Sequence, residues 1–199
     1  MEPVLVRPDR SFGGADLGTV SRAREGDSAA FEDLVRTRVD RLYRTACAIL
    51  GNEADGGDAT QEAFIAAWRQ LPRLRELGRF DAWLTQILVN ACRMRLRTKR
   101  RVREVSSSEP AQAERDGRRV IGYATHDALA DEIAGAERLA RAFDRLTIDQ
   151  RTVLTMLHLH HQSVSEIATA LGRPAGTIKW RLHDARSALE RALEVEDHD

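Results

Sequence analysis

Apolar residues recur along most of the chain at the three- and four-residue spacing of amphipathic helices. This spacing predicts one helix over residues 28–50 and a second over about 58–71. Pro72 ends the second helix, because the residue before a proline is pushed out of helical conformation. A third helix is predicted to begin near Phe80 and to finish in a dense basic run, and helical spacing returns over 133–146. The pattern predicts an all-α fold.

The periodicity fails between the two helical blocks, where Ser, Pro, Asp and Gly accumulate. Such a composition is typical of a linker. We therefore predict two small helical domains joined by a flexible connector. We place the N-terminal domain at residues 25–103, the linker at 104–132 and the C-terminal domain at 133–195. Residues 1–24 show no interpretable pattern, and we predict that they form a disordered N-terminal extension.

Two helices of the C-terminal domain carry capping signals at their starts. Thr147 with Gln150, and Ser163 with Glu166, have the spacing of a capping box, in which two side chains satisfy free N–H groups. Gly172 breaks the second of these helices because it tolerates a positive φ, and the proline two residues later can begin the next helix. A short helix, a tight turn and a second helix predict a helix-turn-helix.

The second helix of this motif has one packed face and one polar face. On a helical wheel, the apolar residues fall on one side: Ile178, Leu182, Ala185 and Leu189. The other side carries groups that can reach phosphates, base edges or thymine methyls. The candidate contacts to an upstream DNA element are Arg173, Gly176, Thr177, Lys179, Trp180, Arg181, His183 and Arg186. The alternative is an ordinary amphipathic hairpin with a solvated basic face.

The N-terminal domain contains a more specific pattern. Residues 54–68 read Ala-Asp-Gly-Gly-Asp-Ala-Thr-Gln-Glu-Ala-Phe-Ile-Ala-Ala-Trp, and residues 80–84 read Phe-Asp-Ala-Trp-Leu. These blocks resemble the core of bacterial sigma factors of the extracytoplasmic-function (ECF) group. The segment 166–182 is similar to the same group's upstream-element reader, Glu-Ile-Ala-x-x-Leu-Gly-x-Pro-x-Gly-Thr-Val-Lys-x-Arg-Leu. The resemblance covers about residues 25–103 and 135–193, in the expected order.

The resemblance implies a factor that binds core RNA polymerase and directs it to promoters. Polymerase docking would fall on Asp55, Asp58, Gln61 and Glu62. The loop at 73–79 would capture an unstacked base of the downstream promoter element, which costs a few kcal/mol of lost pairing and stacking that binding must offset. The residues implied to contact this element are Arg75, Arg79, Asn90, Arg93, Arg97 and Arg100. The alternatives are a solvated acidic helix face and a solvated basic helix end.

The sequence departs from the group's pattern at three places. Gly56 and Gly57 stand where Ala-Glu is usual, so we expect the docking helix to fray or to begin only at Asp58. Trp180 stands where a small residue is usual. Three histidines lie in the turn before the helix-turn-helix, but without a Cys-x-x-Cys companion we expect no metal site there. They are His158, His160 and His161.

The composition narrows the class of protein further. Formal net charge is zero, so affinity for nucleic acid has to come from local clusters of basic residues. Cys47 and Cys92 lie in apolar-periodic segments and are expected to be buried thiols, with a disulfide or redox switch as the alternative. No apolar run approaches the ~20 residues that span a bilayer, and no signal-peptide core precedes the first domain. We expect a cytoplasmic protein.

No catalytic constellation, phosphate-binding glycine loop or cofactor site is evident, so we expect no enzymatic activity and no cofactor. The expected partners are core RNA polymerase, promoter DNA and, from the resemblance, an anti-sigma factor, with one copy per holoenzyme. Two rival functions stay open. A dimeric helix-turn-helix regulator would bind its operator without polymerase, and a polymerase-binding regulator would never read bases.

Overall fold

The computed structural model describes residues 15–106 and 129–196, and it confirms the all-α prediction, with no strand in these ranges. Nine α-helices are described in them: α1 Leu17–Arg24, α2 Ser28–Arg36, α3 Val39–Leu50, α4 Glu53–Gln70, α5 Phe80–Ser106, α6 Leu129–Asp144, α7 Ile148–Leu154, α8 Val164–Leu171 and α9 Ala175–Glu196. Two 3-10 turns, Leu71–Arg73 and Leu77–Arg79, lie between α4 and α5. A π-helical turn, Thr155–Leu159, extends α7.

The folded N-terminal domain begins earlier than residue 25. Residues 17–24, which we assigned to a disordered extension, form α1, and Val20 and Ala23 on this helix are buried in the core. Asp16 caps α1 by accepting hydrogen bonds from two N–H groups of its first turn. The rest of the predicted extension, residues 1–14, lies outside the described residues.

The single helix predicted over residues 28–50 is wrong, because two helices occupy this segment. α2 ends at Arg36, and the hydroxyl of Thr37 donates to the carbonyl of Asp33 at 2.9 Å. A side chain that bonds the backbone in this way competes with continued helix formation. The chain then turns at Arg38 and restarts as α3.

The start of α4 also differs from our expectation. The helix begins at Glu53, five residues before Asp58, and Asn52 caps it by accepting from the N–H of Asp55 at 2.9 Å. Gly56 is buried where α4 crosses α3, and a Cβ at this position would lie 2.4 Å from Sγ of Cys47. The glycine therefore permits a close approach of two helices, and the packing it allows offsets its low helix propensity.

The C-terminal domain follows the local signals closely. Both predicted capping boxes are present, with Gln150 and Glu166 each bonding back to the residue that caps its helix. Gly172 ends α8 at a φ of +59°. Residues 104–106 and 129–132 of the predicted linker are helical, and its remainder lies outside the described residues.

The two domains share one continuous hydrophobic core. α5 packs against α8, and α3 packs against α7 and the π-helical turn. Arg151 on α7 crosses this boundary with a buried side chain, and its Nη1 donates to the carbonyl of Ile49 at 3.2 Å. Thr45 and His160 make a second contact across it, with 2.5 Å between Oγ1 and Nε2. The sequence did not indicate this docking.

Candidate nucleic-acid interface

The first three turns of α9, with Arg173 just before them, contain all the predicted upstream-element residues. Buried Ile178, Leu182 and Ala185 hold the opposite face of α9 in the core. Trp180 is 64% exposed, which is unusual for a side chain with so much apolar area. Thr177 is half-buried. The exposed candidates are Arg173, Gly176, Lys179, Trp180, His183 and Arg186.

Arg181 differs from its neighbours on this face because it is half-buried and ion-paired. Its Nη1 lies 3.1 Å from Oδ2 of Asp149 on α7. The other oxygen of Asp149 lies 2.8 Å from Nη2 of Arg93 on α5. One carboxylate thus bridges a candidate upstream contact and a candidate downstream contact, which lie in different domains.

The predicted base-capturing loop, residues 73–79, lies in the segment between α4 and α5 that contains the two 3-10 turns. Leu71 is fully buried, and Leu74 and Leu77 pack partly against the core. These three apolar anchors leave Arg75 and Arg79 exposed on the outer side of the loop. Nε of Arg79 lies 2.9 Å from a carboxylate oxygen of Glu76 in an exposed ion pair, which contributes little to stability.

The remaining downstream candidates follow the exposed face of α5. Asn90 is exposed and accepts a hydrogen bond from Nη1 of Arg93 at 3.3 Å. Arg97, one turn further along, is also exposed. The side chain of Arg100 lies outside the described residues. The loop and this face together form a cationic surface suited to a single strand and its phosphates.

The predicted polymerase-docking carboxylates on α4 already have partners within the chain. Asp55 is only 7% exposed, and it is ion-paired with Arg95 and Lys99 of α5. Arg95 also pairs with Asp58 and Glu62, both on the more exposed side of the helix. This role of Arg95 and Lys99 was not predicted from the sequence, because a basic helix end has the same pattern whether its partners are phosphates or carboxylates.

Gln61 is exposed and lines a groove of about 430 Å³ between α3 and α4. The walls of the groove are mainly apolar, with Val39, Tyr43, Phe64 and Ile65 among them. Such a concave, mainly apolar surface is suited to receiving a helix of another protein.

Cys47, Cys92 and His160 take part in packing, whereas His158 and His161 are exposed. Cys47 and Cys92 are buried free thiols, and burial raises the pKa of Cys92 to about 12. Burial also lowers the pKa of His160 to about 4, with a smaller contribution from nearby Arg41 and other cationic groups. Across residues 15–106 and 129–196, no group of His, Cys, Asp or Glu side chains is arranged to hold a metal ion. None of the helices in these ranges is both long and apolar enough to cross a membrane.

A helix-turn-helix domain docked on a second helical domain with a basic loop and helix face defines a DNA-binding transcription factor. Family comparison defines it further: the Sigma-70 region 2 family matches residues 34–102, and the Sigma-70, region 4 family matches residues 136–189. The chain belongs to the ECF group of RNA polymerase sigma factors, which direct transcription initiation.

The similar proteins extend over nearly the whole chain. The ECF RNA polymerase sigma factor SigM of Mycobacterium tuberculosis is 30% identical over 195 residues, covering 96% of this chain and 93% of its own. SigW of Bacillus subtilis is 28% identical and covers 87% and 94%. The solved structure of CnrH in complex with the cytosolic domain of CnrY has a TM-score of 0.64 at 25% identity, covering 91% of this chain and 98% of that chain.

Proposed function

We propose that this sigma factor recognises promoters through two separate surfaces, one on each domain. The observation that carries the proposal is the exposure of the cationic and aromatic residues on the first turns of α9, while its apolar residues are buried. A helix held in this way can enter the major groove with its outer face towards the base edges. The side chains of Lys179, Trp180 and His183 then read the upstream element. The backbone of α9 comes nearest to the DNA at Gly176 and Thr177.

The phosphate contacts of the upstream reader are supplied by Arg173 and Arg186 at the two ends of the exposed face. Arg181 has a different role in this proposal. In the free protein it is held in an ion pair with Asp149, and it contacts DNA only after that pair is broken. Charged contacts to phosphate position a protein on the duplex and carry no sequence information themselves.

In the N-terminal domain, Arg75 and Arg79 receive the unpaired non-template strand at the loop between α4 and α5. Asn90, Arg93 and Arg97 continue the path of this strand along α5, and Arg100 extends it. The domain thereby helps to melt the downstream element, because captured bases offset the cost of unpairing. Tethering the two readers in one chain raises the effective concentration of the second once the first is bound.

Core RNA polymerase is the partner we propose for the groove between α3 and α4. The accessible polar contacts are Gln61, which lines the groove, and Asp58 and Glu62 on the same helix. Buried Asp55 helps to hold Arg95, which pairs with both Asp58 and Glu62. One copy of the chain acts per holoenzyme, in the cytoplasm and without catalysis of its own. An anti-sigma partner is also proposed, because the similar protein CnrH was solved in complex with the cytosolic domain of CnrY.

Run-off transcription with purified bacterial core polymerase on a genomic fragment library tests the proposal. Discrete start sites that appear only when the protein is added are the expected result, and they identify its promoters. Lys179→Ala is expected to weaken initiation at those sites while leaving binding to core polymerase unchanged. Arg191→Ala, on an exposed position further along α9, is the matched control.

Two results would replace the proposal by its rivals. If no new starts appear and the protein alone shifts specific duplexes as a dimer, the chain acts as a conventional helix-turn-helix regulator. If the protein binds core polymerase but promoter output does not respond to Lys179→Ala, it regulates polymerase without reading bases.

A further inference from the structure

The segment between α4 and α5 is braced by parts of the chain that the sequence did not connect with it. α1 packs against both 3-10 turns of this segment. The backbone N–H of Ala15, just before α1, donates to Oδ2 of Asp81 at 3.1 Å. Asp81 lies in the first turn of α5, two residues after the second 3-10 turn ends. The start of the folded chain is thereby attached to the end of the loop.

The other oxygen of Asp81 holds a second part of the domain. Nε of Arg38, at the junction of α2 and α3, donates to Oδ1 of Asp81 at 2.5 Å. The side chains of Arg38 and Asp81 are 13% and 21% exposed, so water screens this pair less than an ion pair on the open surface. The guanidinium of Arg38 also lies 5.5 Å from the ring centroid of buried Phe80. Asp81 therefore joins three elements at one point.

The loop is consequently held at both ends. Buried Leu71 anchors its beginning, and Phe80 with the Arg38–Asp81 pair anchors its end. Arg75 and Arg79 are displayed between these two anchors. A loop held in its working shape loses less conformational entropy when it binds a ligand than a loop that must be ordered first.

We propose that Asp81, held by Arg38 and by the N–H of Ala15, is a positioning residue for promoter opening. It keeps the segment between α4 and α5 in the shape that receives an unpaired base. Asp81 does not touch DNA itself, and its effect is exerted through the loop. This inference rests on the proposed function, in which the loop captures an unpaired base. It explains what holds the loop in the shape needed for that capture.

The test compares two forms of one promoter in the complete holoenzyme. The promoter is a fragment selected with the wild-type protein, prepared as a full duplex and as a template whose downstream element is pre-melted by mismatches. Opening of the duplex is followed by permanganate reactivity of unpaired thymines, and initiation on both templates by run-off transcripts. Asp81→Asn removes the charge and keeps a similar shape, and Arg38→Gln removes the partner. Asp33→Asn, which loses an exposed carboxylate on α2, is the matched control.

Asp81→Asn and Arg38→Gln are each expected to slow duplex opening by about tenfold, the usual scale for losing a hydrogen bond between charged groups. Initiation on the pre-melted template should return close to the wild-type rate, because unpairing no longer has to be offset. Binding to core polymerase should not change. Asp33→Asn should behave as wild type on both templates. If one variant proves unfolded by circular dichroism, the other carries the test.

Equal losses on the duplex and the pre-melted template would overturn the inference, since they would indicate a general structural defect. Unchanged opening in both variants would overturn it as well. If the wild-type protein opens no promoter with core polymerase, the proposed function fails and this inference fails with it. That outcome is distinct, because it is seen before any variant is made.

Discussion

The guanidinium of Arg93 on α5 lies 2.8 Å from the carboxylate of Asp149 on α7, and this contact joins the two domains. Because Asp149 also pairs with Arg181 at 3.1 Å, two candidate DNA contacts share a single negative charge. Phosphate groups would compete with Asp149 for both arginines. We therefore expect docking of the two domains on each other to weaken DNA binding, and DNA binding to weaken this docking.

Asp149→Asn is expected to tighten binding of the protein alone to duplex DNA by about threefold, the scale of a partly exposed ion pair. Fluorescence anisotropy with a labelled promoter duplex at low salt measures this. Asp33→Asn makes the same change in net charge on a distant exposed helix and serves as the control. Binding no tighter than that of Asp33→Asn would mean that Asp149 does not restrain the DNA-binding residues.

Gly56→Ala and Gly57→Ala are expected to have opposite effects on stability. A Cβ at residue 56 meets Cys47 at 2.4 Å, so α3 and α4 must separate, at a cost of about 2 kcal/mol. A Cβ at residue 57 meets its nearest atom, on Tyr43, at 3.9 Å, and alanine then gains up to about 1 kcal/mol from helix propensity. Urea unfolding of the two variants measures the difference. A stabilising Gly56→Ala would contradict the close approach of the helices.

Stability is expected to fall between pH 6.5 and pH 4 because of His160. Its pKa is lowered to about 4 in the folded protein, chiefly by burial, from the ordinary histidine value of 6.5. Within this window the unfolded chain takes up a proton that the folded chain does not, so unfolding is favoured as the pH falls. The loss of stability is complete below the pKa of His160 in the folded protein, and it is absent above the pKa of His160 in the unfolded chain.

The contribution of His160 can be isolated by comparing urea midpoints at pH 7 and pH 5. His160→Gln keeps a hydrogen-bonding group near Thr45 and should lose less stability on acidification than the wild type. His161→Gln is the control for removing a neighbouring histidine. Equal pH dependence in the wild type and His160→Gln would show that His160 is not protonated preferentially in the unfolded chain.

Trp180→Ala is expected to change promoter preference without loss of stability, since the side chain is 64% exposed. If the indole contacts thymine methyl groups, replacing the thymines of the upstream element by uracil should weaken wild-type holoenzyme binding by about fourfold, the value of one buried methyl group. Trp180→Ala should be insensitive to that replacement. Equal sensitivity of both proteins would exclude a methyl contact by Trp180.

The sequence by itself determined those features that depend on residues a few positions apart. The capping boxes at Thr147 and Ser163 and the left-handed end of α8 at Gly172 are encoded by short-range spacing, and all three occur as predicted. The spacing of apolar residues was sufficient to predict the all-α class, and the two motif blocks in their order were sufficient to predict the family. The helical break at Thr37 was missed, because a continuous apolar period hides a local turn.

Only the tertiary structure decided which charged groups meet. Arg95 and Asp55 are 40 positions apart, and Arg93 and Asp149 are 56 positions apart. Helical periodicity gives the face on which a side chain lies, but it does not give the helix that packs against that face. The basic run at the end of α5 was therefore compatible with either phosphate or carboxylate partners. The packing of α4 on α5 brings Arg95 to Asp55, and the docking of the C-terminal domain on α5 brings Arg93 to Asp149. Packing of apolar surfaces between distant segments set these pairings, and no local spacing encodes it.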